Sequence, residues 1–474
     1  MKKRYDLIII GAGPGGYVAA RRAARLGMSV LLVDKKEVGG TCINRGCIST
    51  KALIHASMLY REMQECARFG LTADNVDFDL QKIYEHKDQS AAAMRADLEM
   101  AFEELGIELI IGSAKIHSGR RVYITKENGE QEICFGENIL IATGAKARRP
   151  EIPGMDLPGV MTSEELLTTE EKKYEKMVIL GGGVIGLELA TVFNALGTEV
   201  TVIEAGKRLL PKMDTEFSIA LEEILLERGI TIHKESTLEK ITEKKGLKCH
   251  VSVGGEKKEI DADVVLVSVG RVPNTENLFT ENCQIQTNNG AIVVDDFFMT
   301  NVPGVYAVGD VIGGVQLAHV ASAQARYVVE RMNNVEPTNI LDMVPTGTFV
   351  SMSIIPSCIY TDPEIASVGL SEEEAKRYGI PVRCGKCFMN MNGQSIIRKE
   401  NAGVIKVVFA ADSDVLLGAQ MLCPRATDMI GELATAIANC LTGKQLMYAM
   451  RAHPTFNEAI ASAVEDSRGN KVSW

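Results

Sequence analysis

No run of apolar residues in this 474-residue chain approaches the roughly 18 needed to span a bilayer. No apolar stretch follows the opening Met1-Lys2-Lys3-Arg4 either, so the sequence reads without a secretory signal and a cytoplasmic location is expected. Low-complexity tracts are lacking as well. There is no surplus of positive charge: the net charge of −11 argues against a nucleic-acid or anionic-membrane partner. The eleven cysteines lack the even count and tight spacing of a secreted disulfide framework, so any disulfide is expected to be catalytic. Cys384-Gly-Lys-Cys387 has the spacing of metal ligands, but no second pair or matching histidines accompany it. It reads as two thiols on a strand, and no metal site is expected.

What is present is an ordinary globular composition, 46% hydrophobic and 24% charged, arranged with repetition. The length suggests about three domains. The run Asp6-Leu-Ile-Ile-Ile-Gly11-Ala-Gly13-Pro-Gly-Gly16 has the continuous apolar character of a buried parallel strand opening into a Gly-rich turn. A small-residue helix follows to Gly27, then a strand that ends at Asp34. The same unit returns as Met177-Val-Ile-Leu-Gly181-Gly-Gly183-Val-Ile-Gly186, with a helix to Gly197 and a strand ending at Glu204. In both copies the first glycine precedes the helix-ending glycine by 16 residues and the terminal acid by 23. One such turn can be mere tight packing. Two in matched strand–turn–helix context point to two dinucleotide sites, with pyrophosphate on a helix N-terminus and ribose hydroxyls on the acid.

The remaining segments sort around these units. Residues 50–105 read as helix, and 107–145 as strands finishing at Ala142-Thr143-Gly144. Arg149-Pro-Glu-Ile-Pro153-Gly reads as a crossover. Val264 to Gly270-Arg271 echoes the Ala-Thr-Gly strand, and Val305-Tyr-Ala-Val-Gly309-Asp310 is another buried strand ending in an acid. Beyond about residue 346, strands such as Val404–Phe409 alternate with helices such as 428–441, giving a third, α+β domain.

Two segments carry candidate chemistry. In Gly39-Gly-Thr-Cys42-Ile-Asn-Arg-Gly46-Cys47-Ile-Ser-Thr-Lys51, the cysteines are five apart. An ideal helix would separate them axially by about 7.5 Å, beyond the ~7 Å Cα limit for a disulfide. Pairing therefore needs a distorted turn, for which Gly46 offers freedom. The alternatives are two buried free thiols or half a metal site, and neither accounts for the place beside a dinucleotide unit. Near the C-terminus, His453-Pro454 precedes Glu458 by five residues, which suits an imidazole oriented by a carboxylate for acid–base work, or equally a packed or surface histidine.

Taken in order, Gly-Gly-Thr-Cys42-x4-Cys47-x3-Lys51, the two fingerprints, Ala-Thr-Gly144, Val-Gly309-Asp310 and His453-Pro-Thr-x-x-Glu458 resemble the pyridine nucleotide–disulfide oxidoreductases over essentially the whole chain, most of all the dihydrolipoamide dehydrogenases among them. The resemblance implies an α/β fold with two Rossmann-like dinucleotide-binding domains. An NAD domain (149–275) would be inserted in an FAD domain (1–148 and 276–345), followed by an α+β dimerisation domain (346–474). It implies that Gly11, Gly13, Gly16, Asp34, Ala114, Thr143, Gly144, Asp310 and Ala318 hold FAD. Lys51 would lie near the flavin, paired with Glu188 and on the helix face of Cys47. Gly181, Gly183, Gly186, Glu204, Leu238 and Gly270 would contact NAD. Cys42 and Cys47 would form the redox disulfide, with Cys42 meeting the substrate and Cys47 the flavin. His453 of the other subunit, oriented by Glu458, would hold the proton.

The implied partners are a second copy of the chain and a lipoyl-bearing carrier protein or small dithiol/disulfide. The implied reaction oxidises a dihydrolipoyl group with NAD. Reduction of another disulfide, or a flavoprotein scaffold or redox sensor without turnover, are the alternatives. Glu204 would repel the 2′-phosphate of NADP, although Lys207 and Arg208 lie close by in sequence. No C-terminal vicinal cysteine pair of the mercuric reductase kind is present. Ser49-Thr50, Arg451, Met389 to Gln394 and Cys423-Pro-Arg-Ala depart from the usual wording of the family.

Overall fold

The first repeat begins with strand β1 (Lys3–Ile10), helix α1 (Pro14–Arg25) and strand β2 (Val30–Asp34) of a computed structural model that describes residues 3–169, 172–336 and 354–469. From Leu7 to Ile10 every residue of β1 is buried, as a strand covered on both faces by helices requires. After β2 come α2 (Gly40–Arg45), α3 (Cys47–Gln64), α4 (Leu80–Glu104), β3 (Glu108–His117), β4 (Arg121–Lys126) and β5 (Gln131–Ile141). The parallel order is β3-β2-β1-β5, with β4 joining β3 and β5 antiparallel. The strand Val305–Ala307 then adds to β5 in parallel, so the chain returns to this sheet after a long excursion.

Within that excursion lie β6 (Ala145–Ala147), β7 (Val160–Thr162), α5 (Ser163–Thr168), β8 (Lys176–Leu180), α6 (Val184–Ala195), β9 (Glu199–Ile203), α7 (Thr215–Glu227) and β10 (Thr231–His233). An antiparallel meander, β11 (Ser236–Glu243), β12 (Leu247–Val253) and β13 (Glu256–Ala262), precedes β14 (Val264–Val267). A second parallel sheet has the order β10-β9-β8-β14-β7. After Val305–Ala307, helix α8 (Ala318–Met332) packs against α1. Residues 354–469 form an antiparallel sheet in the order 357–359, 365–369, 416–422, 404–410, 382–388, backed by the helices Ala426–Ala438 and Glu458–Ser467. The domain limit expected at 345/346 lies outside the described residues. No helix among them is long and apolar enough to cross a membrane.

One expectation is corrected. Residues 50–105 are not continuous helix: α3 stops at Gln64, a short 3-10 turn (Cys66–Phe69) ends at Gly70 with φ 78°, and α4 starts only at Leu80. Gly70 takes the left-handed conformation that ends helices. Asp79 then opens α4 by accepting the Lys82 N–H at 3.2 Å, an N-cap bond. Phe78 lies edge-on to Tyr60 at 4.9 Å, holding the intervening segment against α3.

A buried charge cluster ties the second sheet to the C-terminal one. Lys406, 2% exposed, sits on the strand Val404–Ala410 and reaches Asp214 at 2.8 Å, Glu216 at 2.6 Å and Glu372 at 2.5 Å. Asp214 caps the start of α7, and its backbone N–H donates to Gln420 at 3.1 Å. Lys376 and then Lys406 hold the Glu372 carboxyl down at about 2. Removing one partner of a buried ion pair costs about 3–5 kcal/mol because the other charge is stranded. Lys406→Met should therefore destabilise the holoprotein by that order, read as a lowered urea midpoint, and adding Asp214→Asn should restore part of it. Glu372, with its pKa depressed in the folded state, contributes stability above its ordinary value of 4.5 that is lost as pH falls toward 2. Glu372→Gln should flatten the acid limb of the stability profile in that window.

Candidate active site

The two glycine-rich turns are built alike, contact for contact. Gly11 donates its N–H to Val33 O, and Gly181 to Ile203 O, both at 2.8 Å. A Cβ on Gly11 would run into Ala142 O, and one on Gly181 would lie 2.7 Å from Ser268 O. A Cβ on Gly16 or Gly186 would strike the carbonyl of the first glycine in its own turn. Both first glycines have φ near +100°, so only glycine serves there. Gly13 and Gly183 are the N-caps of α1 and α6. Neither helix start has a side-chain cap or an acid in its first turn, which leaves its N–H groups and positive dipole end free for an anion.

The terminal acids match as well. Asp34 accepts the N–H of Ala12 at 2.7 Å and of Lys36 at 3.0 Å. Glu204 accepts the N–H of Gly182 at 2.6 Å and of Gly206 at 2.5 Å. Held from behind in this way, each carboxylate keeps lone pairs for ribose hydroxyls. These cradles fit two dinucleotides. Thr143 and Gly144 follow β5 beside the first turn, where Thr143 exchanges hydrogen bonds with Asn274. Gly270 follows β14 at the corresponding place in the second unit, with φ 108°. Asp310 is the second residue of a 3-10 turn (Gly309–Ile312) after Val305–Ala307, and Ala318 is the first residue of α8. Burial pushes the Asp310 carboxyl up against the pull of Arg271, whose Nε lies 4.0 Å away. Ala114 and Leu238 are different in kind. Both are buried in apolar clusters and present no side-chain polar group to a ligand.

The cysteine segment bridges these sites. Helix α2 ends at Arg45, and α3 begins at Cys47 with Gly46 at the break. A side chain at Gly46 would meet Thr41 O at 2.8 Å, so the chain can double back there only with glycine. Ser49 donates to Ile43 O at 3.3 Å and to Asn44 O at 3.0 Å, satisfying carbonyls at the end of α2. Asn44 in turn accepts from Arg95 of α4 at 2.6 Å. The Cys42 and Cys47 side chains are hydrogen-bonded to each other. That bond, aided by Lys51 and opposed by burial, draws the Cys47 thiol down to about 7. The same bond, with burial, drives the Cys42 thiol far up. One turn along α3, Lys51 Nζ meets Glu188 Oε2 of α6 at 2.7 Å.

Sequence reasoning missed Tyr360. Its N–H donates to Glu188 Oε1 at 3.0 Å and its ring lies 4.4 Å from Lys51 Nζ, so the C-terminal domain orients the Lys51–Glu188 pair. Nothing in the run Tyr360-Thr-Asp-Pro signalled this, since both partners are more than 170 residues away. Arg271 was missed too, though it directly follows Gly270; it reaches Glu164 at 3.0 Å and faces Asp310. His453 Nδ1 lies 2.9 Å from Glu458 Oε1. The Thr455 N–H and His453 hold the Glu458 carboxyl low against burial. The imidazole is exposed, and among the described residues no hydrogen bond or ion pair joins it to either cysteine. The expected pair Cys384 and Cys387 falls on opposite faces of the strand Val382–Phe388, with Gly385 and Cys387 turned inward.

In the dithiol form, Cys47 should alkylate with iodoacetamide along a pH profile centred near 7, as read by mass spectrometry. Lys51→Met removes a positive charge that favours the thiolate, so the midpoint should rise by about one unit. A midpoint that stays in place would show that Lys51 does not act on Cys47.

The pyridine nucleotide-disulphide oxidoreductase model matches residues 5–325, and that family's dimerisation domain matches residues 355–464. A dihydrolipoyl dehydrogenase of Bacillus subtilis (strain 168) is 36% identical, with both chains fully covered. A second from the same organism is 34% identical over 98% of this chain and 97% of its own. Among solved structures, the Cu(II) complex of the HOCl-induced flavoprotein disulfide reductase RclA from Escherichia coli superposes with a TM-score of 0.87 at 27% identity, over 98% of this chain and 99% of that one. The matches take in both dinucleotide units and the domain that carries His453, and on that ground the chain belongs to the pyridine nucleotide-disulphide oxidoreductase family.

Proposed function

We propose that this enzyme is a cytoplasmic, homodimeric dihydrolipoamide dehydrogenase that oxidises the dihydrolipoyl group of a carrier protein or a small dithiol and reduces NAD to NADH. The observation that carries the reading is the Lys51–Glu188 contact, 2.7 Å long, which ties the cysteine helix to the glycine-rich helix of the second dinucleotide unit. Residues 1–148 and 276–345 are assigned to FAD, 149–275 to NAD and 346–474 to dimerisation. Gly11, Gly13, Gly16, Asp34, Ala114, Thr143, Gly144, Asp310 and Ala318 are assigned to FAD, with Lys51 at its redox-active ring. Gly181, Gly183, Gly186, Glu204, Leu238 and Gly270 are assigned to NAD. FAD, when bound, supplies the two-electron relay between the cysteine pair and the nicotinamide.

The chain's own residues then divide the work by acidity. A substrate thiol loses its proton to His453, whose ring Glu458 orients, and attacks Cys42 Sγ of the Cys42–Cys47 disulfide. The Sγ–Sγ bond breaks and Cys47 departs as thiolate. A low-pKa thiol is the better leaving group, and Cys47 is the low one of the pair. The second substrate thiol displaces Cys42 from the mixed disulfide, releasing the oxidised substrate. His453 would come from the partner subunit. Its exposure, together with the exposed Tyr448 and the fully exposed Met450 just before it, suits a surface that a second copy covers.

A steady-state comparison of NAD-linked dihydrolipoamide oxidation with NADPH-linked glutathione disulfide reduction tests the substrate. Exclusive activity in the second assay would overturn the proposal. His453→Ala should reduce dihydrolipoamide turnover by about 10²–10⁴-fold with FAD still bound; a loss below tenfold would make the histidine structural. Random reassociation of Cys42→Ser and His453→Ala homodimers tests the shared site. About half the dimers are mixed, and each has one intact site if sites are shared. About a quarter of wild-type activity should therefore return. Mixed dimers confirmed by mass spectrometry but without activity would exclude sharing.

A further inference from the structure

Two cations, Lys207 and Arg208, follow the ribose acid Glu204 closely, which is where a 2′-phosphate would need positive charge. The loop that carries them is fixed against the second glycine-rich turn: Leu210 donates to Gly182 O at 3.2 Å, and Glu235 to Gly206 O at 3.0 Å. Lys207 is exposed to solvent. Arg208 is half-buried, and both of its terminal nitrogens are engaged elsewhere. Its Nη1 donates to Thr215 Oγ1 and lies 3.4 Å from Glu373 Oε2, while Nη2 donates to Pro211 O at 2.9 Å.

Glu373 belongs to the C-terminal domain and grips this corner with both oxygens. Its Oε1 accepts the Thr215 N–H at 2.6 Å, and its own N–H donates to Asp214 Oδ1 at 3.2 Å. Asp214 is held by buried Lys406. A planar guanidinium with several donors is the side chain best suited to a phosphate, and this one is anchored through a chain of contacts that ends in the C-terminal sheet.

We propose that Glu373, with Thr215, is a specificity-determining residue for nucleotide choice: by latching Arg208 to the C-terminal domain, it withholds from the adenosine ribose the guanidinium that would accept a 2′-phosphate. The proposal deepens the function given above and rests on the reading of Glu204 as the ribose acid. Glu204 then repels the phosphate directly, and the Glu373 latch withholds Arg208, the one of the two nearby cations with a planar, several-donor head. The two act on the same discrimination from different domains.

The test is the ratio of kcat/KM for NADPH to that for NADH in the holoenzyme, together with inhibition against NADH by adenosine 2′,5′-bisphosphate and by 5′-AMP. Glu373→Ala and, separately, Thr215→Val should each raise the NADPH/NADH ratio and tighten the bisphosphate relative to 5′-AMP, by about tenfold for one freed charge-assisted contact. Arg208→Ala in either background should abolish the gain. A ratio unmoved in both single variants with FAD content intact, or a gain that survives Arg208→Ala, overturns the latch. Glu204→Gln reports on the ribose reading independently. If it leaves the wild-type ratio unaltered, that reading falls and the latch with it; if it raises the ratio while the Glu373 and Thr215 variants do not, only the latch falls.

Discussion

A single buried carboxylate, Glu188, sits where three parts of the chain meet. It lies on α6, 3% exposed, and a charge so placed must be compensated or the fold around it fails. One oxygen takes Lys51 from the cysteine helix, and the other takes the Tyr360 N–H from the C-terminal domain. The Tyr360 ring then covers Lys51, adding a cation–π contact worth more where water is excluded. Satisfying this one group sets the position of Lys51, and with it the direction of α3 and the place of Cys47 one turn earlier. The redox segment is thus held against the second dinucleotide unit by electrostatic necessity and not only by packing.

Duplication explains why so much of this is symmetrical, and divergence explains where it is not. The two glycine turns share their hydrogen bonds, their left-handed first glycine and the grip on their acids. They differ in what surrounds the acid. Asp34 is shorter and is held by the Lys36 N–H, with the exposed Lys35 and Lys36 beyond it. Glu204 is followed by a loop whose second cation, Arg208, is drawn off toward the C-terminal domain. The same backbone device therefore recurs in both units, while the side chains around each acid differ.

The features legible in the sequence are those whose physics is local. Glycine turns declare themselves because a Cβ there would strike the backbone within the same unit, and the acids at Asp34 and Glu204 stand at fixed distances from them. Gly46 was legible for the same reason. Features that depend on distant partners were not: Tyr360, Arg271 against Asp310, the Lys406 cluster and the Arg208 corner are all contacts made across elements that sequence spacing does not relate. The overlong helix at 50–105 failed differently. The stretch Gly70 to Asp79 carries a glycine and several Asp and Asn turn residues that the reading passed over, and the left-handed Gly70 with the Tyr60–Phe78 contact turns the chain aside there. Of the departures Ser49 and Thr50, Ser49 has a local role that the sequence did not signal: it supplies hydrogen bonds that close the end of α2.

The asymmetry of the two thiols follows from this same arrangement. Cys42 and Cys47 are chemically identical, yet the Cys47 sulfur starts a helix, lies one turn from Lys51 and receives the hydrogen bond of its partner. Cys42 sits on a separate short helix and donates that bond. Each of these differences favours charge on Cys47 and disfavours it on Cys42. Exchange chemistry then acquires a direction without any further residue: an incoming thiolate gains most by joining the sulfur that holds charge badly and expelling the one that holds it well. Reversing the roles would require moving Lys51, which Glu188 and Tyr360 prevent. The difference in acidity between the two thiols is therefore a consequence of how the three parts of the chain are tied together.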